Sequence, residues 1–121
     1  MKKCILIIED DPDIMSVYRT ILEENDFVVE GIDAFDNTIE TITRYKPDLV
    51  LTDYLLSGTN GGKICQQIKS NKDTYHIPVV LITAYGDLAK ALGSFGFDAF
   101  IEKPFQIDEL LGTIRKLLKI S

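Results

Sequence analysis

Apolar positions along this chain switch repeatedly between two spacings. Cys4 to Ile8 is an unbroken apolar run of β type. From Ile14 the spacing changes: Ile14, Val17, Tyr18, Ile21 and Leu22 recur at i, i+3, i+4, i+7 and i+8, one face of an amphipathic helix. Asp11 followed by Pro12 supplies an N-cap and a proline at the first helical position. Phe27 to Val29 predicts a second strand. A weaker helix follows over Asn37 to Tyr45, with Ile39 and Ile42 inward, and ends before Pro47. Leu49 to Leu51 predicts the third strand, and Gly61-Gly62 opens a helix running through Ile64 and Ile68. Val79 to Ile82, after Pro78, is the fourth strand. Leu88, Ala91, Leu92 and Phe95 form a fourth helical stripe, with Gly96 placed to end it. Phe97 to Ile101 is the fifth strand. Ile107, Leu110, Leu111, Ile114, Leu117 and Leu118 mark the last and strongest helix.

Five β–α units in series predict an α/β fold with a parallel sheet and helices on both faces. The first, third and fourth strands are continuously apolar, as strands covered on both faces must be. The second carries Glu30 at its end and the fifth carries Asp98 inside, which suits edge positions. A single doubly wound five-stranded sheet in the flavodoxin-like order 2-1-3-4-5 places those two at the edges.

Composition narrows the class. At 121 residues the chain fits one domain, and 45% apolar with 26% charged residues is the mix of a soluble globular protein, not a disordered one. The net charge of −6 argues against nucleic-acid binding through a broad basic surface. Apolar runs are far short of a membrane span, and the acids after Ile8 arrive before a signal peptide's cleavage site can form, so the expected location is the cytoplasm. Cys4 and Cys65 lack metal-ligand spacing and read as buried thiols acting as small hydrophobes. Isolated His76 reads as a solvated loop residue.

Ligands of open α/β sheets bind outside the carboxyl ends of the strands. The residues there are Glu9-Asp10-Asp11 after the first strand, Thr52-Asp53-Tyr54 after the third, Thr83-Ala84 after the fourth and Glu102-Lys103-Pro104-Phe105 after the fifth. Carboxylates, a hydroxyl and an ammonium thus converge on one edge. Carboxylates so close repel unless a cation sits among them, and an all-oxygen site suits Mg²⁺, or Mn²⁺. Asp53 is then placed as a nucleophile toward phosphorus, with Lys103 and Thr83 able to meet phosphoryl oxygens.

This ordered set, with the lysine 50 residues after the aspartate, resembles the receiver domain of bacterial two-component response regulators from Lys3 to about Leu118, which implies one receiver domain over residues 1–121. The resemblance implies a phosphoacceptor at Asp53, phosphorylated by a histidine kinase or phosphotransfer protein. It further implies that Asp10 binds metal directly, Glu9 through water, and Leu55 through its backbone carbonyl, together with Asp53. Thr83 and Lys103 match the family's switch hydroxyl and lysine, and Phe100 its switching aromatic. The face formed by the fourth helix, fifth strand and last helix then reports the state to a downstream protein. Such a domain catalyses only its own phosphorylation and dephosphorylation and is not otherwise an enzyme. The resemblance also suggests a cis Lys103-Pro104 bond. Ser57 stands where receivers often carry proline, which leaves the loop 57–61 less rigid than usual.

Plainer readings stand beside these. Asp11 more simply caps the first helix, Thr83 also suits a helix cap, and Phe100 also suits ordinary packing. Leu55 and Tyr85 flank the pocket at positions that, by the resemblance, modulate water access; being bulky and without a charged group to orient water, they predict slower loss of a phosphoryl group than Asn and Glu would give there. Two other classes compete. A phosphatase with an aspartyl-phosphate intermediate needs an acid two residues after Asp53, where Leu55 stands. A flavin binder needs a phosphate loop where Glu9-Asp10-Asp11 would repel phosphate. The length leaves no room for an effector domain, so output is expected through a partner, unless the chain is a receiver piece of a longer regulator or hybrid kinase.

Overall fold

The computed structural model describes residues 2–33, 38–85, 87 and 96–120. In chain order these form β1 (Cys4–Ile8), α1 (Pro12–Glu23), β2 (Val28–Ile32), α2 (Thr38–Tyr45), β3 (Leu49–Asp53), β4 (Leu55–Leu56), β5 (Thr59–Asn60), α3 (Gly61–Lys69), β6 (Val79–Thr83) and β7 (Ala99–Glu102). A C-terminal helix, Ile107–Leu118, closes the chain. The fourth helical stripe, Leu88 to Phe95, and Asn37 lie outside the described residues. Gly96, expected to end that stripe, has φ +89°, a conformation that favours glycine.

The main sheet is parallel, in the order β2-β1-β3-β6-β7. Omitting the two-residue strands β4 and β5, which pair only with each other, this is the expected 2-1-3-4-5. Alternation along β1 explains its unbroken apolar run. Ile5 and Ile7 join Leu49, Leu51, Val80 and Ile82 beneath Tyr18 and Leu22 of α1 and Leu110 and Ile114 of the C-terminal helix. Leu6 and Ile8 join Val50 and Val79 on the other face, beneath Ile42 of α2 and Ile64 and Ile68 of α3. Burying each such side chain stabilises the fold by about 1.5–3 kcal/mol before entropy is counted.

Several local expectations change. Glu30 lies in the middle of β2, not at its end. An edge strand tolerates it because its side chain is only half-buried. Asp98 precedes β7 instead of sitting within it. Its carboxylate accepts from the Val79 amide at 2.8 Å and pairs with Lys69 at 2.8 Å, satisfying the start of β6. Val17 and Ile107 are exposed although the spacing turned them inward: Val17 lies at the margin of its helix's buried stripe, and Ile107 is the first residue of its helix. Cys65 is buried, and burial pushes its thiol up to about 11, whereas Cys4 is only half-buried; both are free. His76 is exposed, as expected.

Candidate functional site

Parallel register brings the four strand ends to one level. Asp53 is the last residue of β3 and is level with Ile82 of β6, while Thr83 is level with Glu102 of β7. Backbone bonds extend that alignment past the strands: Glu9 N–H donates to Ile32, Tyr54 N–H to Ile82 and Lys103 N–H to Thr83, at 2.8–3.0 Å. The Lys103-Pro104 bond that follows is cis.

Glu9, Asp53, Leu55, Thr83, Tyr85 and Lys103 line one cavity of about 190 Å³ at this edge. Asp53, Glu9 and Thr83 are buried there, whereas Leu55 and Tyr85 are 61% and 53% exposed and stand at its mouth. Lys103 Nζ lies 3.1 Å from Asp53 Oδ1. Burial raises the Asp53 carboxyl above the ordinary range, and the Lys103 ammonium only partly offsets it. Burial alone would lower Lys103, but the charges of Asp53 and Tyr18 and their hydrogen bonds outweigh it and hold the ammonium above its usual value.

The acids after β1 divide their work. Glu9 Oε1 accepts from the Asp11 amide at 3.0 Å, while Glu9 Oε2 is buried with no hydrogen-bond partner. An orphaned buried carboxylate oxygen is costly, and a cation is the partner that best relieves it. Asp10 does not line the cavity; its Oδ2 accepts from the Ser57 amide. Asp11 caps α1 through the amides of Asp13 at 2.8 Å and Ile14 at 3.3 Å. Among the described residues no three acidic, cysteine or histidine side chains are already drawn together at metal-holding distances.

The segment after Asp53 is better organised than the missing proline suggested. Leu55 and Leu56 pair with Asn60 and Thr59, Gly58 turns between them at φ +77°, and Asn60 caps α3 through the Lys63 amide. Thr83 Oγ1 accepts from the Tyr85 amide at 2.8 Å, so it makes the cap-like bond while remaining in the cavity. Phe100 is outside the cavity lining, half-buried on β7 and edge-to-face with Phe97 at 5.9 Å.

One site residue escaped the spacing argument. Tyr18 reads as a core position of α1, yet its hydroxyl donates to Asp53 Oδ1 at 3.2 Å. The available signal was a phenol among otherwise aliphatic inward positions, which demands a polar partner when buried.

Residues 5–115 match the family described as "Response regulator receiver domain". The chain belongs to this family. It is 32% identical over 118 residues to the DNA-binding dual master transcriptional regulator RpaA of Synechocystis, covering 95% of this chain and 48% of that protein. The chain thus spans about half the length of the curated relatives it matches. The receiver domain of a signal transduction histidine kinase from Syntrophus aciditrophicus is 31% identical, with a TM-score of 0.81 over 97% of this chain and 90% of that one. The response regulator TrrA of Thermotoga maritima, solved in complex with Mg²⁺-BeF, is 28% identical, with a TM-score of 0.79 over 97% and 99%. The receiver reading is thus supported and the phosphatase alternative is not. No described helix is long and apolar enough to cross a membrane.

Proposed function

We propose that this receiver domain accepts a phosphoryl group on Asp53 from a phosphohistidine of a sensor kinase or phosphotransfer protein. The observation that carries this is the buried Asp53 carboxylate facing the Lys103 ammonium at 3.1 Å, in one cavity with Glu9 and Thr83. In the transfer an Asp53 oxygen forms a bond to phosphorus while the phosphorus–nitrogen bond of the donor breaks, leaving its electron pair on the imidazole. Lys103 pairs with one phosphoryl oxygen and the Thr83 hydroxyl with another, so positioning and electrostatics supply most of the catalysis. The domain thereby catalyses its own phosphorylation and, with water as the attacking group, its dephosphorylation.

The donor set fits Mg²⁺, or Mn²⁺: all ligands are oxygen, and the orphaned Glu9 Oε2 faces a site that wants positive charge. Glu9, Asp53 and the Leu55 carbonyl would hold the ion from the cavity, and Asp10 would join them by turning from the Ser57 amide. When bound, it supplies the charge that neutralises the incoming phosphoryl group. The Mg²⁺-BeF complex of TrrA supports Mg²⁺ as the ion.

Phosphorylation then biases two arrangements of the edge that carries Thr83 and Phe100. A downstream protein reads that edge, with no direct nucleic-acid contact by this domain. DNA binding belongs to RpaA as a whole, which is about twice as long.

Acetyl phosphate with Mg²⁺ tests the assignment by intact mass. One phosphoryl group is expected on the wild-type chain, lost without Mg²⁺ and absent in Asp53→Asn. A folded wild-type chain that takes up no phosphoryl group refutes it.

A further inference from the structure

Tyr18 is buried to 2% exposure, and its ring stacks against Phe105 with centroids 6.3 Å apart. Packing fixes the ring, so the hydroxyl has two defined neighbours: it donates to Asp53 Oδ1 at 3.2 Å and accepts from the Lys103 ammonium. The same Asp53 oxygen faces Lys103 Nζ at 3.1 Å. Core packing at this place needs only an apolar side chain. The phenol adds a hydrogen bond to the one carboxylate on which the proposed chemistry turns.

We propose that Tyr18 limits the lifetime of the phosphoryl group, because its hydroxyl stabilises the carboxylate that hydrolysis regenerates. This rests on the reading of Asp53 as the phosphoacceptor. In hydrolysis a water oxygen forms a bond to phosphorus as the bond from Asp53 breaks. The electron pair of that bond returns to the carboxylate, and the water proton leaves with inorganic phosphate or passes to solvent. Negative charge grows on Asp53 and spreads over both carboxyl oxygens. A donor held on one of them bonds about twice as strongly to the anion as to the neutral acyl group. Tyr18 therefore favours the departing carboxylate over the acyl phosphate. Lys103 is drawn away to a phosphoryl oxygen in the loaded state, which leaves Tyr18 as the donor on the carboxyl group. In the loading direction the same bond holds the resting carboxylate and slows its attack.

The test uses the full chain loaded with acetyl phosphate and Mg²⁺, freed of donor, and followed by intact mass. Tyr18→Phe keeps the ring and removes the donor, and its phosphoryl group should persist about fivefold longer. Its loading rate should be equal or higher, which a merely damaged fold would not produce. Tyr18→Leu, a second variant without the donor, should also lengthen the lifetime. Phe105→Leu disturbs the ring's packing but keeps the hydroxyl, and should retain the wild-type lifetime. Loaded chains unfolded in urea should all lose the group at one rate. An unchanged or shortened lifetime in Tyr18→Phe overturns the proposal, as does an equal lengthening in Phe105→Leu. A wild-type chain that loads nothing instead overturns the phosphoacceptor reading, and this inference with it.

Discussion

Two Gly→Ala substitutions of identical chemistry should have opposite effects. Gly61 opens α3 against the end of β3 that carries Asp53, and its amide donates to the Tyr54 carbonyl at 2.7 Å. A Cβ added there would overlap the Asp53 carbonyl oxygen and approach Leu81 Cδ1 to 2.7 Å. The carbonyl cannot swing aside cheaply, because Asp53 is paired with β6 and the next amide is bound to Ile82. Overpacking of this kind costs about 1–3 kcal/mol or more, against a helix-propensity gain of at most about 1 kcal/mol. Gly61→Ala should therefore lose roughly 1–2 kcal/mol, or about 3–10 °C in Tm for a domain of this size. Gly112 lies exposed in the C-terminal helix, and a Cβ there meets nothing within 4 Å. Gly112→Ala should gain about 0.5–1 kcal/mol. Urea titration of both variants beside wild type measures the two signs. Gly61→Ala should also load phosphoryl groups more slowly, since the displaced atom is the backbone of Asp53 itself, while Gly112→Ala should load normally. A neutral or stabilising Gly61→Ala would refute the claim that the Asp53 backbone is locked against α3.

Other outcomes follow from the same geometry. Burial raises the Asp53 carboxyl despite Lys103, so the folded chain holds that proton more tightly than the unfolded one; the resulting stability is complete below the ordinary carboxylate value and lost as pH rises through the higher folded one. Asp53→Asn should thus be more stable than wild type near neutrality without metal, with the gap closing as pH falls through about 4; a constant gap in denaturation across pH would contradict this. Leu55→Asn with Tyr85→Glu places polar groups at the exposed mouth of the cavity and should shorten the phosphoryl lifetime by roughly tenfold, less than the about 10²–10⁴-fold of a fully positioned general base because neither group is held by packing there. An unchanged lifetime would show that these two side chains do not govern water access. Asp98→Ala removes the partner of both Lys69 and the Val79 amide and should cost about 1–3 kcal/mol in urea denaturation without changing the rate of loading; slower loading would place Asp98 in the site.

The hydrophobic spacing by itself determined the five strands of the sheet and the placement of Glu9, Asp53, Thr83 and Lys103, whereas the edge strands were assigned from two acids, of which Asp98 lies outside its strand. The reason is geometric: carboxyl ends of parallel strands in one sheet share one edge, so residues just past each apolar run must gather there. The cap at Asp11 was equally legible, because capping depends only on residues two and three positions away. Local pattern could not decide contacts made at the tips of side chains or between turns. The hairpin of β4 and β5 forms where the chain leaves Asp53, and its two-residue strands are too short to carry a period. Asp98 left the strand it was assigned to because its carboxylate serves the Val79 amide across the sheet. Tyr18 and Asp53 are 35 residues apart, and the pattern says only that Tyr18 turns inward and that Asp53 lies past the end of its strand. Whether the phenol reaches the carboxylate depends on how closely α1 settles on the sheet, a distance set by the packed core between them and written in neither segment alone.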